Sequence, residues 1–270
     1  MRELRVIIDF RNQDPYYNLA LDESMTRLRL ENKIIDTLRF WIIDPAVIIG
    51  YFQKLEDSVN INYCKANDIN ILRRVSSGGA VYCDNGVLLF SLIIDTREWP
   101  RQTRYPRFSY EYLSKPLLHI LKSLHLNADF LKPNVVAVNG RKISGLAQFY
   151  LYDVLLFHGT ILINPHFTHL VNSLRDPSVP LGSKKVSPEE GLITLGSLIP
   201  NAETDEIVDE IVHRFIEYSK NTFSCSLTFS NITRREKKLA EKLKIQKYFS
   251  SSWLLNSLFI TKITSTRSVF

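Results

Sequence analysis

Residues 73–94 read RRVSSGGAVYCDNGVLLFSLII, a loop of small residues set between two strand patterns. The preceding INILRRV is a short apolar run, and AVYC alternates as a strand does. A nucleotide-binding P-loop needs GxxxxGK followed by Ser or Thr, and a dinucleotide-binding fold needs GxGxxG, each between a strand and a helix. Neither pattern occurs here, so the loop from Ser76 to Ala80 is predicted to connect two strands.

Turn signals recur between the strand patterns. Asn85-Gly86 separates AVYC from VLLFSLII and predicts a two-residue hairpin, because both residues accept the positive φ of a type I′ turn. Asn139-Gly140 repeats this chemistry between VVAV and RKISGLAQF. Asp44-Pro45, between TLRFWII and AVIIGYFQ, predicts a third hairpin. These turns together predict a largely antiparallel sheet.

Helical patterns flank the strands. The stretches NLALDESMTRLRLE and TDEIVDEIVHRFIEYSK each place apolar residues along one face. Thr233 and Glu236 form a capping-box pattern at the start of TRREKKLAEKLK. We therefore predict an α+β fold, in which a mixed, mostly antiparallel sheet is packed by helices.

Composition places the chain among ordinary globular proteins. Of its 270 residues 45% are hydrophobic and 23% are charged, without a low-complexity tract. The longest apolar runs, such as 87–94, have the length of a strand and are too short to span a bilayer. The start MRELRVIIDF lacks the long apolar core of a signal peptide. A cytoplasmic protein without a membrane partner is expected.

Cysteine and histidine spacing argues against a metal or disulfide framework. Cys64, Cys83 and Cys225 are far apart and irregularly spaced, which predicts reduced thiols. His166 and His169 lie beside a proline, where a surface or helix-capping role is favoured over metal binding. No zinc site is predicted.

Positive charge is dispersed along the chain. The net charge is +6 and the isoelectric point is about 9.1, which permits an acidic partner. The basic run RREKK at 234–238 is interrupted by Glu236, so we interpret it as a solvated helix face. Nucleic acid is not expected as a partner.

Two stretches carry chemistry that suits an anion. The residues from Ser76 to Ala80 are small, so a ligand could lie against their main chain, and Arg74 could supply a fork of donors. In NGRKISGLAQ, Lys142 follows a tight turn, and Ser144 and Gly145 leave space beside it. Each signal alone is equally typical of a surface loop. Their compatible chemistry favours a site for a carboxylate or phosphate.

These residues resemble a known family. RRVSSGGAVYCDNG is similar to the RRxSGGGAVYHDxGN signature of lipoate-protein ligases, and PNVVAVNGRKISGLAQ is similar to their second signature, which ends in KxSGxAQ. Three further stretches, NLALDE, AVIIGYFQ and FHGTILIN, match in order and spacing, and KYFSSSW resembles the family's KYxxxEW. The resemblance runs from about Tyr17 to Trp253.

The resemblance implies the fold that this family shares with biotin ligases and class II aminoacyl-tRNA synthetases. It assigns 1–222 to a catalytic domain and 223–270 to a short helical C-terminal segment, which could be a small lobe of the same domain. It also implies that lipoate or octanoate reacts with ATP, with Mg²⁺ as activator, to form an acyl-adenylate. The acyl group then passes to a lysine of an acceptor protein. No tightly bound prosthetic group is expected.

The resemblance assigns site residues one by one. Lys142 is the catalytic residue, bridging the acyl carboxyl oxygen and the α-phosphate. The residues expected to bind lipoate and ATP are Arg74, Ser76, Gly78, Gly79, Ala80, Val81, Tyr82, Asp84, Asn134, Lys142, Ser144, Ala147 and His158. Metal ligands stay unassigned, because Val135 stands where the family has an aspartate after Asn134. Cys83 likewise replaces the usual histidine, and Ser77 replaces the first glycine of the triplet.

Two alternatives of other kinds stay open. An octanoyl- or lipoyl-transferase of the same fold would carry the acyl group on a cysteine. Cys83 is a candidate for this role, but it lies in a different motif from the cysteine of such transferases. A non-catalytic paralogue would bind lipoate without activating it.

The expected acceptors are lipoyl domains of 2-oxo acid dehydrogenases or a glycine-cleavage H protein. The short C-terminal portion also raises the hypothesis of a separate accessory subunit.

Overall fold

The computed structural model describes residues 2–175 and 191–255. Within these residues the strands form two sheets. In chain order the strands are β1 (Arg2–Asp9), β2 (Thr37–Trp41), β3 (Ala46–Ile49), β4 (Asn70–Arg73), β5 (Val81–Cys83), β6 (Val87–Asp95), β7 (Ala128–Leu131), β8 (Val135–Val138), β9 (Arg141–Leu151), β10 (Val154–Leu162) and β11 (Cys225–Phe229).

The larger sheet has eight strands in the order β11-β1-β2-β6-β10-β9-β8-β7. Its pairings are antiparallel except those of β1 with β11 and with β2. The smaller sheet has the order β4-β3-β5. The predicted α+β class with a mostly antiparallel sheet is confirmed.

Helices pack on both faces of the larger sheet and against the smaller sheet. They are α1 (Pro15–Leu30), α2 (Leu55–Ser58), α3 (Ile61–Ala66), α4 (Pro106–Leu113), α5 (Lys115–Ser123), α6 (Phe167–Ser173), α7 (Leu195–Leu198), α8 (Thr204–Phe223), α9 (Arg234–Leu243) and α10 (Ser251–Leu255). None of the helices in these residues has the length and hydropathy needed to cross a bilayer.

Strands β6 and β10 form the centre of the molecule, and every residue of both strands is buried. On one face, Phe90 and Phe157 pack with residues of α5 and α8. On the opposite face, Leu89 packs with α1, α9 and the smaller sheet. Because side chains alternate along a strand, these two central strands supply apolar residues to both cores at once.

The hairpin predicted at Asn139-Gly140 is confirmed. Both residues have positive φ, 49° and 76°, and β8 pairs with β9 on either side of them. This turn starts β9 at Arg141 and so places Lys142 near the beginning of the strand. The predicted turn chemistry thus determines where the candidate catalytic lysine lies.

The hairpin predicted at Asn85-Gly86 is wrong. Strand β5 pairs with β3 in the smaller sheet, whereas β6 belongs to the larger sheet. The Asp84 carboxylate accepts hydrogen bonds from the amides of Gly86 and His166, which turns the chain from one sheet to the other. Gly86 is required here for close approach, because a Cβ would overlap the Asn164 carbonyl.

The hairpin predicted at Asp44-Pro45 is also wrong. Strand β2 lies in the larger sheet between β1 and β6, and β3 lies in the smaller one. Both strands are buried along their whole length, so each needs a layer on both faces. In the fold the two strands are covered by different layers, since they belong to different sheets.

The C-terminal segment contains a strand besides the predicted helices. β11 extends the larger sheet by pairing in parallel with β1, and α9 packs against α1. The predicted capping box of Thr233 and Glu236 is present. The division of the chain at residue 222 stays a prediction.

The basic run at 234–238 differs from the predicted solvated face at one residue. Its arginines and lysines are exposed, but Glu236 is completely buried. The Glu236 carboxylate pairs with the guanidinium of Arg5 on β1, so it joins α9 to the sheet. Burial alone would raise the pKa of Glu236, but hydrogen bonds from Arg5 and Thr233 hold that pKa below its usual value.

We predict that Glu236→Ala lowers the free energy of unfolding by about 3–5 kcal/mol near pH 7, because it leaves Arg5 buried without its partner. The measurement is urea unfolding. Since the carboxyl pKa is lowered in the fold, its stabilisation is present above the unfolded pKa and is lost as the pH falls through the folded one. The difference in the free energy of unfolding between the wild-type protein and Glu236→Ala should therefore become smaller in acid. The exposed neighbour Lys237→Ala is the control and should change little; an equal loss in both would contradict the prediction.

Candidate acyl and nucleotide site

A narrow cavity of about 160 Å³ lies between the smaller sheet and strands β9 and β10. One side is lined by the residues after the loop at 76–79, and the other by the start of β9 and the middle of β10. Most of its wall is apolar, formed by Leu19, Trp41, Ile48, Leu89 and Leu146. A cavity of this kind suits a flexible apolar chain.

Charged and polar groups join this apolar wall. Lys142, Arg74, His158, Asn134 and Thr160 all line the cavity. The two cations face a common space without a carboxylate in the lining, which makes the cavity attractive to an anionic head group.

Lys142 is held in a desolvated position. Burial lowers its pKa, and repulsion from the Arg74 guanidinium lowers it further. Gly145 makes room for it, because a Cβ on Gly145 would lie 2.8 Å from the Lys142 Nζ. Among the described residues its ammonium has no ion-pair partner. An anion bound in the cavity would offset both the desolvation and the repulsion.

Arg74 shapes the loop around the cavity. Its guanidinium donates to the carbonyls of Ile48, Ser77 and Gly79 at 2.7–3.1 Å and to the Ser76 Oγ at 2.9 Å. Burial lowers its pKa to about 10. Most of its N–H donors therefore bind the protein and hold the loop in place. Its positive charge still acts on the cavity, which Arg74 lines.

The loop geometry explains one glycine and permits one departure from the family pattern. Gly78 has a φ of +100°, which a side chain would strain. It also lies so close to Gly50 that a Cβ on Gly50 would overlap the Gly78 carbonyl. Ser77, in contrast, is not among the residues with positive φ. Serine therefore fits where the family usually has glycine.

His158 connects the loop to the core below. Its Nε2 lies 2.7 Å from the Ser76 Oγ, and its Nδ1 lies 3.9 Å from the Asp22 carboxylate. Burial and the nearby Arg74 lower the His158 pKa to about 3, so the ring is neutral at physiological pH. Arg74 Nε donates to the same hydroxyl, which leaves the Ser76 hydrogen for His158. The histidine thus orients Ser76 without adding charge.

Eight of the predicted site residues line the cavity, and the other five lie around it. The lining residues are Arg74, Gly79, Ala80, Val81, Asn134, Lys142, Ala147 and His158. Ser76 and Gly78 belong to the loop itself, where Ser76 is hydrogen-bonded to Arg74 and His158 and Gly78 lies against Gly50. The Tyr82 hydroxyl donates to Asp84, whose carboxylate is engaged in the turn before β6. The Ser144 Oγ is buried without a hydrogen-bond partner in the described structure. Direct ligand contacts of these residues stay predictions.

The cavity wall also contains residues that sequence reasoning missed, chiefly Leu19, Trp41, Ile48, Leu89 and Leu146. Each belongs to a helix or strand pattern that is typical of a core. No local motif separates an apolar residue facing a cavity from one facing another side chain. Their common location depends on how the two sheets pack.

Cys83 is close to the site but is poorly suited to nucleophilic chemistry. It is completely buried on β5 and does not line the cavity. Burial and the nearby Asp84 raise the pKa of its thiol to about 12, although Arg74 and Lys142 oppose this rise. The thiol is therefore protonated near pH 7, whereas a nucleophilic cysteine needs a thiolate.

The described residues do not by themselves fit a metal site. They contain no group of three or more histidine, cysteine, aspartate or glutamate side chains that could hold an ion. Asp84 is engaged by backbone amides, and Val135 offers no oxygen where the family has a carboxylate. We therefore derive no step through Mg²⁺ from these residues.

Comparison with known sequences identifies relatives along most of the chain. Residues 14–216 match the family described as lipoyl protein ligase A/B catalytic domain. The chain is 29% identical to a probable lipoate-protein ligase A of Mycoplasma genitalium, with 84% of this chain and 66% of the relative covered. It is 27% identical to octanoyltransferase LipM of Brevibacillus brevis, with 94% and 99% covered. The chain thus spans slightly less than two thirds of the length of the Mycoplasma relative.

Solved structures show the same fold. The bi-partite lipoate protein ligase of Thermoplasma acidophilum, described with its E2 lipoyl domain, has a TM-score of 0.80 at 25% identity, covering 94% of this chain and 97% of that one. A lipoate-protein ligase A bound with ATP has a TM-score of 0.77 at 25% identity, covering 94% and 98%. With the family match over 14–216 and the cavity described above, the chain belongs to the lipoyl protein ligase A/B catalytic domain family.

Proposed function

We propose that the protein is a lipoate-protein ligase that activates lipoate or octanoate with ATP and transfers the acyl group to a protein lysine. The observation that carries the proposal is the desolvated ammonium of Lys142, which lies with Arg74 at a cavity whose wall is mostly apolar. A fatty carboxylate matches this arrangement, because its chain fits the apolar wall and its carboxylate can pair with the lysine. The relatives named as lipoate ligases, and the one solved with ATP, support the same assignment.

The proposed reaction has two steps. A carboxylate oxygen of the acyl substrate attacks the α-phosphorus of ATP, and pyrophosphate leaves. The ε-amine of the acceptor lysine then attacks the acyl carbon of the adenylate, AMP leaves with the bonding electron pair, and the amine loses a proton. Neither step needs a nucleophile from the enzyme, so its main task is to reduce repulsion between two anions.

Lys142 and Arg74 are suited to that task. Both place positive charge at one cavity within a buried environment, where charge interactions are stronger than in water. Lys142 can contact the carboxylate and the α-phosphate directly, because its ammonium has no ion-pair partner among the described residues. Arg74 contributes its charge while it holds the loop.

The main alternative is a transferase that carries the acyl group as a thioester. The octanoyltransferase relative matches nearly the full length of both chains, which favours this candidate. However, the three cysteines are all buried, and none of them lines the cavity. The raised pKa of Cys83 also opposes attack by its sulfur. We therefore favour the ligase over the transferase. We favour it over a paralogue that only binds lipoate because Arg74, Gly78, Gly79 and Lys142 are intact.

The proposed acceptor is a lipoyl domain of a 2-oxo acid dehydrogenase complex or a glycine-cleavage H protein. The Thermoplasma ligase described with its E2 lipoyl domain supports the first of these. A domain with an acidic surface suits the net charge of +6 on this chain, since complementary charge speeds association.

We predict that Lys142→Ala lowers the rate of acyl-adenylate formation by about 10² or more, by analogy with the loss of one preorganised donor. The fold should be retained, because the variant removes a desolvated cation and breaks no ion pair within the described residues. The measurement is pyrophosphate release from lipoate and ATP, with circular dichroism to check folding. Adenylate formation at the wild-type rate would reject the role of Lys142.

Cys83→Ser is the matched control for this experiment. The ligase proposal expects adenylate formation and transfer to persist in this variant, whereas a thioester mechanism at Cys83 expects both lipoyl transfer and an acyl-enzyme mass to disappear. Binding of lipoate without any pyrophosphate release by the wild-type protein would instead identify the non-catalytic paralogue.

We also propose that a separate accessory subunit is needed for full activity. The chain spans 66% of the Mycoplasma relative, and the Thermoplasma ligase is described as bi-partite. We predict that the purified chain alone transfers lipoate to a lipoyl domain slowly, because the proposed subunit is absent from the assay. The measurement is acceptor mass over time, compared with the Mycoplasma genitalium relative at the same concentration. Equal rates would reject the accessory subunit and leave the ligase assignment intact.

A further inference from the structure

Arg73, the neighbour of Arg74, points away from the cavity and binds only backbone carbonyls. Its side chain is almost completely buried, with 1% exposed. The guanidinium donates to Gly50, Tyr51 and Gln53 on one side at 2.7–2.9 Å. On the other side it donates to the carbonyls of Trp253 and Leu254 in α10, with distances of 2.6–3.1 Å.

The contact is reciprocal, because the Trp253 indole Nε1 donates to the Arg73 carbonyl at 2.9 Å. We call this arrangement of Arg73, the loop at 50–53 and residues 253–254 the clasp. The clasp therefore binds α10 to strand β4 and to the loop after β3.

A second group of contacts supports Trp253. The Lys247 ammonium lies 4.0 Å from the centre of its ring, and the Tyr51 ring lies 5.7 Å away. Lys247 and Tyr248 both donate to Glu23 of α1 at 2.7 Å. Trp253 is thus positioned by contacts on two sides.

The clasp lies directly behind the cavity loop. The Tyr51 amide donates to the Ser76 carbonyl at 2.9 Å, and the Arg74 amide donates to the Ile49 carbonyl at 3.0 Å. Gly50, whose carbonyl Arg73 holds, is the residue that lies against Gly78. Any shift of the loop at 50–53 would therefore displace the backbone of Ser76 and Gly78.

We propose that the clasp is a positioning device for the substrate site, in which Trp253 and Arg73 keep the loop at 76–79 in its binding geometry. The proposal rests on the proposed function for the identity of the ligand. It gives a role to the KYFSSSW stretch, which lies beyond the family match at 14–216. Arg73 and Trp253 do not line the cavity of Lys142; Trp253 lines a second pocket, which Ser77 of the loop also lines.

The test replaces the tryptophan, because Arg73 variants risk loss of folding. Trp253→Phe removes the indole donor and keeps a ring, and Trp253→Ala removes both. We expect the Michaelis constant for lipoate to rise about tenfold in Trp253→Phe, the size of losing roughly one net hydrogen bond, and to rise further in Trp253→Ala, which also loses the ring contacts. Turnover at saturation should change much less, since the loop affects binding of substrate and transition state alike.

Hydrogen exchange provides a readout that needs no substrate. The amides of Tyr51 and Arg74 donate across the two loops, so they should exchange about tenfold faster in Trp253→Ala, while amides of β10 keep their wild-type rates. The matched control is Trp99→Phe, because the Trp99 indole also donates to a distant buried residue, Asp36, far from this loop. Trp99→Phe should leave both the two amides and the Michaelis constant unchanged.

Two results would overturn the proposal. One is wild-type exchange at Tyr51 and Arg74 together with an unchanged Michaelis constant in folded Trp253→Ala. The other is an equal acceleration of the β10 amides, which would show a general loss of stability. If the wild-type protein neither binds nor activates lipoate, the proposed function fails, and the exchange of these two amides still decides whether the clasp holds the loop.

Discussion

Two adjacent arginines at the end of strand β4 organise the backbone on which the site is built. Because successive side chains of a strand point to opposite faces, Arg74 lines the cavity and Arg73 points towards the C-terminal helix. Both are buried, and both find most of their partners among backbone carbonyls. Each guanidinium satisfies carbonyls that would otherwise be left without donors in irregular segments, where an unpaired polar group is costly.

This constraint explains how a loop of small residues can form a defined binding surface. Gly78 and Gly79 have no side chains to pack, so flexibility would be their default. Arg74 donates to Ser77 and Gly79 from the front, and the loop at 50–53 supports Ser76 from behind. The loop is therefore preorganised by groups outside it, which reduces the ordering cost when a ligand binds.

The charge distribution of the site follows from the same packing. Lys142 and Arg74 repel each other, and burial strengthens that repulsion. His158 adds no further charge, because its own burial lowers its pKa to about 3. The cavity thus holds unfavourable electrostatic energy until an anion enters, which is the arrangement expected for recognition of a carboxylate or phosphate.

Local chemistry was enough to predict several of these features and not others. The α+β class, the turn at Asn139-Gly140 that positions Lys142, and the capping box at Thr233 depend on neighbours within a few residues, so the amino-acid pattern reveals them. The signature at 73–86 likewise indicated which small residues adjoin the cavity. Asn85-Gly86 has equally strong hairpin chemistry, yet the strands on either side of it lie in different sheets.

The reason is that sheet membership, burial and cavity walls arise from contacts between distant segments. Whether Leu89 faces a cavity or a side chain depends on the approach of the smaller sheet, and the partner of Glu236 is on β1, 231 residues earlier in the chain. From the sequence one could predict only that the side chains of Arg73 and Arg74 point to opposite faces, because side chains alternate along a strand. The tertiary packing decided which carbonyls the two arginines bind, and carbonyls of α10 are among them. Only the folded chain brings residues 50–53, 73 and 253–254 together.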